Sequence, residues 1–427
     1  MPETKYKEVQ IGPKSIEIPR EWGMKTAGEL FEIRKDRVDP SDLDEVVDLY
    51  SMPAFDEGKE PKKEETGEIG SKKYLVPDDT LLFPKLNIRK QRFWRVKRES
   101  ETKGICSTEY WPLIPQGDLD LDFYNFYFRT HEFRSHPKVS SSSSTNSHKR
   151  VNQSSFEKVK LPVPPLPEQR RIAEILSTVD EAIQQTDEII ETSKELKKGL
   201  MQDLLTKGIG HDEFKEVQLG PKKAEVPDSW NVQKIGDMAS VRGGKRLPKS
   251  HDYAEGETDY PYLRVTDFKD GGIDQRELKY LREKTYEEIE QYTISDEDVF
   301  ISIAGTIGVV GKVPSSLSGA NLTENAAKIY EMEEIDNEYL ALYLSCKLGQ
   351  DQIKSLTVGS TQPKLALKRI KLISVPVPPL DEQREIAEKL SVVDKKIRQE
   401  EEYREKLEEL KKGLMQDLLT GKKRMTV

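Results

Sequence analysis

Apolar residues in the stretch 164–206 fall at Ile172, Leu176, Val179, Ile183, Ile190, Leu200 and Leu204, with Thr186, Ser193 and Lys197 at the intervening steps. Alternating gaps of three and four make a heptad stripe, sustained here over more than four heptads, and predict one long helix with a narrow apolar seam. Pro165 and Pro167 suit the start, where a missing N–H costs nothing, and Glu168 follows where the helix dipole favours an acid. Gly208 and Gly210 mark the exit. About forty residues at 1.5 Å each give a rod roughly 60 Å long.

The stretch returns without a gap at 378–420, Leu380 matching Leu166 at an offset of 214, and the closing LKKGLMQDLLT is identical in both copies. The second seam runs Ile386, Leu390, Val393, Ile397, Leu407, Leu410, Leu414 and Leu418, with Glu400 and Arg404 interrupting its centre. A duplication of this kind has to be read before anything else. Two such rods in one chain are expected to pair with each other; the alternative is that each packs only on its own globular neighbour.

The repeat extends to the front of each half, where KEVQIGPKSIEIPREW at 7–22 matches KEVQLGPKKAEVPDSW at 215–230. Each phrase reads as a Gly-Pro turn, a short apolar strand and a tryptophan anchor, Trp22 or Trp230. Between front and rod the two halves diverge. The expected fold is α+β: two related mixed α/β domains, 1–163 and 209–377, separated by two long helices, one at 164–208 and one that with a C-terminal tail fills 378–427, forming an antiparallel coiled coil with pseudo-twofold symmetry.

In the first domain, Asp79–Val96 holds a strand and then a basic run with Phe93 and Trp94 interleaved. From Lys85 to Arg98 there are seven Lys or Arg and no acid. Such a patch can bind phosphates and pack on sugars or bases, or be a solvated hairpin whose aromatics face the core. Ser140–Arg150 is a polar, serine-rich loop closing on Lys149 and Arg150. In the second domain, Val241–Lys249 (VRGGKRLPK) is a basic loop in which Gly243 and Gly244 would let backbone amides approach a phosphate. Pro261–Phe268 alternates like a strand, and Asp298–Val313 reads as strand, glycine turn and returning strand, in the place of Asp79–Val96. Val358–Arg369 (VGSTQPKLALKR) lies just before the second rod, where the offset pairs Lys364 with Arg150.

Composition changes the picture in two ways. The chain has 427 residues, 34% of them charged, which fits long solvated helices better than one large core. Its net charge of −9 excludes a uniform nucleic-acid coat, so phosphate binding must come from local basic patches. Cys106 and Cys346 are too few for a disulfide framework, and no run of about eighteen apolar residues or apolar signal core appears, so a soluble cytoplasmic protein is expected.

Enzyme motifs fail on spacing. Gly305–Lys312 lacks the first glycine of a phosphate loop, which would stand at Thr306, and Val313 replaces the magnesium-binding Ser or Thr. Pro77 and Asp78 followed by Glu101 and Lys103 satisfy the loose pattern of metal-dependent nucleases. That pattern arises easily among 77 acidic and 68 basic residues, and the second half has no counterpart. His131, His136, His148, His211 and His251 form no ligand pair at helical spacing. No metal site and no catalytic residue is expected in this chain.

The two PPL-[PD]-EQR-x-IAE tracts, the twin LKKGLMQDLLT ends and GSTQPKLALKRIKLISVPVPPL resemble the DNA-specificity subunits of type I restriction–modification enzymes, over essentially the whole chain. The resemblance implies two target recognition domains reading a bipartite asymmetric site in double-stranded DNA. It implies docking of two methyltransferase (modification) subunits, with restriction subunits in the full complex. S-adenosylmethionine, ATP and magnesium would belong to those partners. The first half departs from the pattern, its loop before the rod being a serine run without the usual glycine.

On this reading Arg242, Lys245, Arg246, Arg264, Thr361, Gln362 and Lys364 face DNA in the second domain, and Lys85, Arg89, Lys90, Arg92, Lys149 and Arg150 in the first. Arginine and glutamine would read guanine and adenine while the lysines position on phosphates. Leu200, Met201, Leu204 and Leu205, with Leu414, Met415, Leu418 and Leu419, exceed what one seam requires and are the expected docking residues. Gly199 and Gly413 suggest close backbone approach there. The alternatives are rod ends covered by one another and, for the whole protein, a scaffold joining two protein-binding domains or a stand-alone nuclease.

Overall fold

The computed structural model describes residues 6–11, 14–43, 45–98, 101–136, 139, 150–269, 271–359 and 361–425. The chain forms two compact units: one runs up to Asp187 and resumes at Glu402, the other is Glu188–Glu401. The cuts fall inside the two long helices, Leu166–Lys207 and Leu380–Leu418. Each unit is therefore a globular part plus one half of each helix.

The first unit opens on an antiparallel hairpin, Tyr6–Ile11 with Lys14–Pro19. Gly23–Thr26 then pairs with Lys160–Val163, which joins the entrance of the globular part to the four residues leading into the helix. A four-stranded antiparallel sheet has the order Trp94–Val96, Thr80–Pro84, Tyr110–Pro115, Phe31–Ile33. A mixed sheet has the order Arg37–Val38, Lys73–Val76, Gly104–Cys106, Val46–Tyr50, Lys62–Glu65, with Gly104–Cys106 parallel to Val46–Tyr50. Phe83 sits at the centre of the core, its ring within 6.2 Å of those of Phe93, Trp111, Phe128, Phe133 and Phe156. Burying each such side chain is worth roughly 1.5–3 kcal/mol.

The second unit repeats this plan, except that, among the described residues, its mixed sheet has four strands and no counterpart of Arg37–Val38. Its hairpin is Phe214–Leu219 with Lys222–Pro227, and Asn231–Lys234 pairs with Ser374–Val377 ahead of the second helix. The antiparallel sheet runs Val310–Lys312, Val299–Ser302, Ala326–Tyr330, Ser240–Gly243. The mixed sheet runs Lys279–Tyr280, Pro261–Leu263, Ala320–Leu322, Thr293–Ile294, again with a parallel central pair. The duplication thus passes through the middle of each half, where the residues no longer show it. The segment Gly305–Gly308 is a hairpin turn between Val299–Ser302 and Val310–Lys312, with both glycines at positive φ.

The shared EQR tract has a mechanical role. In the first unit, Glu168 is buried and accepts from Trp22 Nε1 at 3.0 Å, while Gln169 accepts from Asp120 N and donates to Pro164 O. In the second, Glu382 accepts from Trp230 Nε1 at 3.1 Å, and the buried Gln383 accepts from Asp336 N and donates to Pro378 O. Asp120 and Asp336 in turn cap the helices Leu121–Tyr127 and Asn337–Ser345. Each rod is therefore locked to its own globular part at its first turn. Beyond the tryptophan, the partners of the two glutamates differ. Arg424 clamps Glu168 through Nε (2.7 Å) and Nη2 (3.0 Å), whereas Ile209 N and His211 Nε2 hold Glu382.

Within each unit the two helix halves run antiparallel. Asp180 pairs with Lys411 and Asp187 with Arg404 in the first unit; Lys194 pairs with Glu401 and Lys197 with Asp394 in the second. Each step forward on one helix is a step back on the other. Ile172, Leu176, Val179, Thr186 and Ile190 are buried on the first helix, and Ile386, Leu390, Ile397, Leu407 and Leu418 on the second. Leu410 departs from the expected seam: it is 51% exposed, and Lys411 takes the inward step with its stem half-buried and its ammonium on Asp180. Arg404, read as an interruption, is a seam residue paired with Asp187.

The twin helix ends also correct an expectation. Leu205 is buried in the core of the second unit, and Leu418 and Leu419 in that of the first. Leu200, Met201 and Leu204, like Leu414 and Met415, pack half-buried against those same cores. Leu205, Leu418 and Leu419 are consumed by the globular parts, and the other five divide their surface between those cores and solvent. Gly199 and Gly413 face open space, since a Cβ at either would meet nothing within 4 Å, so no close approach within this chain explains them.

Candidate nucleic-acid interface

In each globular part the chain closes one junction of three segments. In the first, the exit of strand Thr80–Pro84 meets the turn Ser107–Glu109 and the end of the loop before the rod: Lys85 N donates to Glu109 O, Val151 N donates to Lys85 O, and Leu86 bridges Arg150. In the second, Ile303 N donates to Asn325 O, Leu365 N donates to Ile303 O, and Ala304 bridges Lys364. The backbone bonds correspond one to one, and they place Arg150 and Lys364 as equivalents, as the offset implies. Lys364 is held further by a reciprocal pair of bonds with Val358, closing a small loop that presents Thr361 and Gln362, both exposed, with Gly359 at φ +104°.

Around the first junction lie half-buried Lys85 and exposed Arg89, Lys90 and Arg150. Arg89 and Lys90 ride on a single turn, Ile88–Lys90, flanked by Asn87 and Gln91 in left-handed conformations that aim it outward. Lys149 lies outside the described residues. Arg92 does not belong to this surface: it is 9% exposed and its guanidinium is taken by Asp56 and Met52. Phe93 and Trp94 are core residues, as the hairpin alternative had it, and neither can stack on a base.

Around the second junction, Lys245 and Arg242 sit over the Tyr292 ring at 5.6 and 5.1 Å, and Arg242 also donates to Gln291. Arg246 is exposed and donates through Nε to Glu324 Oε1 at 2.6 Å. Arg264 is different: it donates to both Asp267 oxygens and to Glu277 O, closing the turn Val265–Asp267, so most of its donors serve the fold. Gly244 also acts otherwise than expected. Gly244 N donates to Ala326 O and Lys245 N to Leu322 O, so neither amide is open to a phosphate. Gly244 is required by contact instead, because a Cβ there would collide with the Leu322 and Thr323 carbonyls.

A hollow of about 420 Å³ adjoins this surface, lined by Arg246, Tyr253, Tyr262, Arg264, Thr323 and Glu324. Burial works to raise the Glu324 carboxyl, yet hydrogen bonds from Arg246, its own backbone and Thr323 hold it below the usual glutamate range. It is therefore ionised at neutral pH. Burial pushes the Tyr262 hydroxyl up to about 12, and it donates to Lys245 O. The turns Ser107–Glu109 and Thr323–Asn325 are the residues sequence reasoning missed. Their signal is a hydroxyl-and-acid triplet, Ser-Thr-Glu or Thr-Glu-Asn, between two short apolar strands. Among the described residues, no group of three or more His, Cys, Asp or Glu could hold a metal ion, and no helix is long and apolar enough to cross a membrane.

A family model described as the type I restriction modification DNA specificity domain matches residues 19–193 and again 227–409. The chain is 26% identical to the MjaVIII type I restriction enzyme specificity subunit of Methanocaldococcus jannaschii, over 99% of this chain and 97% of that one. It is 28% identical to the putative MjaX specificity subunit of the same organism, with the same coverage. Among solved structures, the S subunit of a type I restriction–modification system from M. genitalium superposes with a TM-score of 0.58 at 16% identity, covering 96% of this chain and 98% of that one.

Proposed function

The chain belongs to the type I restriction–modification DNA specificity family, and from that premise we propose that it reads a bipartite, asymmetric site in double-stranded DNA, one half-site per globular part. The observation that carries this reading is the repeated junction: one set of backbone bonds presents two different sets of side chains. Lys85, Glu109 and Arg150 stand on one, and Lys364, Asn325 and Arg246 near the other. A common frame with unlike side chains suits two readers of unlike sequences, since base edges are distinguished by side-chain donors and acceptors. Lys85, Arg89, Lys90 and Lys245 act mainly on phosphates.

The chain supplies no catalytic group on this reading. It docks two methyltransferase subunits, and restriction subunits in the full complex, and these hold S-adenosylmethionine, ATP and magnesium. With their leucines turned inward, the twin LKKGLMQDLLT segments offer a partner their exposed faces, Lys198, Gly199 and Gln202 on one helix and Lys412, Gly413 and Gln416 on the other.

The test is selection from a random duplex library by the full chain together with its modification subunits, followed by binding of the selected duplex across a salt series. We expect a split motif with two different halves and an affinity that falls steeply with salt, because phosphate neutralisation releases counterions. No selected motif, with salt-insensitive association between proteins alone, would establish the scaffold reading instead.

A further inference from the structure

Each junction carries an exposed arginine against a half-buried glutamate. Arg150 donates to Glu109 through Nε at 3.2 Å and Nη2 at 2.9 Å, with side chains 55% and 25% exposed. Arg246 donates to Glu324 through Nε at 2.6 Å, with side chains 75% and 28% exposed. The two pairs are not a relic of duplication. Arg150 comes from the segment just before the first rod, whereas Arg246 comes from the loop after strand Ser240–Gly243. Glu109 matches Asn325 in the backbone frame, one residue beyond Glu324. The two halves arrive at one arrangement with different residues.

Such a pair contributes little to folding, because exposed ion pairs are typically worth about 0–1 kcal/mol. Its chemistry is directional. An ionised carboxylate only accepts hydrogen bonds and a guanidinium only donates them. In the major groove a G·C pair presents guanine N7 and O6, both acceptors, beside the cytosine N4 donor. An arginine fork next to a carboxylate matches that order group for group. An A·T pair presents acceptor, donor, acceptor, so the adenine N6 amino group would face the fork. Among the described residues, Arg246 spends only Nε, on Glu324, and keeps both Nη groups for a base, while Arg150 keeps Nη1.

We infer that each arginine–glutamate pair reads one G·C base pair, Arg246 with Glu324 in one half-site and Arg150 with Glu109 in the other. This rests on the DNA-reading proposal above. The test repeats the library selection with Glu324→Ala and Glu109→Ala in the full chain with its modification subunits. Wild type should select at least one invariant G·C pair in each half. Glu324→Ala should lower discrimination at one such position by on the order of tenfold and leave the other half-site unchanged. Glu109→Ala should do the reverse. The untouched half-site reports in the same molecule that the chain is folded, and Glu324→Gln, which keeps the side chain's size, guards against a packing effect. A wild type that selects no motif fails the DNA reading itself. A wild type whose motif lacks these G·C pairs, or alanine variants that select the wild-type motif or weaken all positions alike, overturns this inference alone.

Discussion

The rod–domain joints and the junctions repeat in opposite ways. At the joints the two halves keep the same side chains: Trp22 and Trp230 reach Glu168 and Glu382, and Gln169 and Gln383 tie the capping aspartates Asp120 and Asp336. At the junctions they keep the same backbone bonds and change the side chains, Lys85 facing Ile303 and Glu109 facing Asn325 in the correspondence. A joint must satisfy a buried carboxylate, and few residues can do that, so its chemistry is fixed. A junction satisfies its polar groups through main chain, which frees its side chains for recognition.

Breaking a joint should therefore have the largest effect. Trp22→Ala or Trp230→Ala, each emptying a fully buried site, should cost about 3–5 kcal/mol in urea unfolding of the full chain. A loss below 1 kcal/mol would mean the tryptophan is not the anchor. Among the described residues, Arg424→Ala leaves Glu168 with only Trp22 and a weak backbone contact, and should cost about 2 kcal/mol, reduced from the fully buried case by the partial exposure of the arginine.

Glycines sharpen the same contrast. Gly244→Ala drives a methyl into two carbonyls and should destabilise by about 1–3 kcal/mol. Gly199→Ala and Gly413→Ala, in exposed helix with open space around them, should each stabilise by up to about 1 kcal/mol, seen as a raised melting temperature. Loss of modification-subunit binding by the latter pair, with stability raised, would show those glycines serving the partner.

The smallest effect concerns acid. The Glu324 carboxyl lies below its unfolded value, so its contribution is present above the ordinary glutamate pKa of about 4.3 and is lost as pH falls through the folded value. Solvent screening keeps it under about 1 kcal/mol. Glu324→Gln should flatten that limb of the stability–pH curve and leave neutral pH nearly unchanged; an unaltered limb would place the acid sensitivity elsewhere.

The sequence made the rods and joints legible because both rest on helical period and on residues repeated verbatim. Much of the inner topology was hidden because several of its strands, such as Trp94–Val96 and Gly104–Cys106, are three residues long and leave too little alternation to read. Leu410 misled because a leucine near the seam outweighs a lysine, although Lys411 finds Asp180 only in the folded chain. Arg92 misled similarly: its acid, Asp56, is remote in sequence, so the cation looked free. Arg150, Arg246 and Lys364 were identified as cations, while the glutamates that orient two of them were not.

The first unit is discontinuous and the second is not. Leu418 and Leu419 sit in a core otherwise built from the N-terminal part of the chain, and Arg424 is the last clamp on Glu168. During synthesis, the part translated first is therefore fully supplied only after Glu402–Arg424 has been made, whereas Glu188–Glu401 is fully supplied once its own codons have passed. A ribosome-bound chain arrested at residue 400 should stay open to protease across its first half. Protection there equal to that of the released protein would show that the late residues are dispensable.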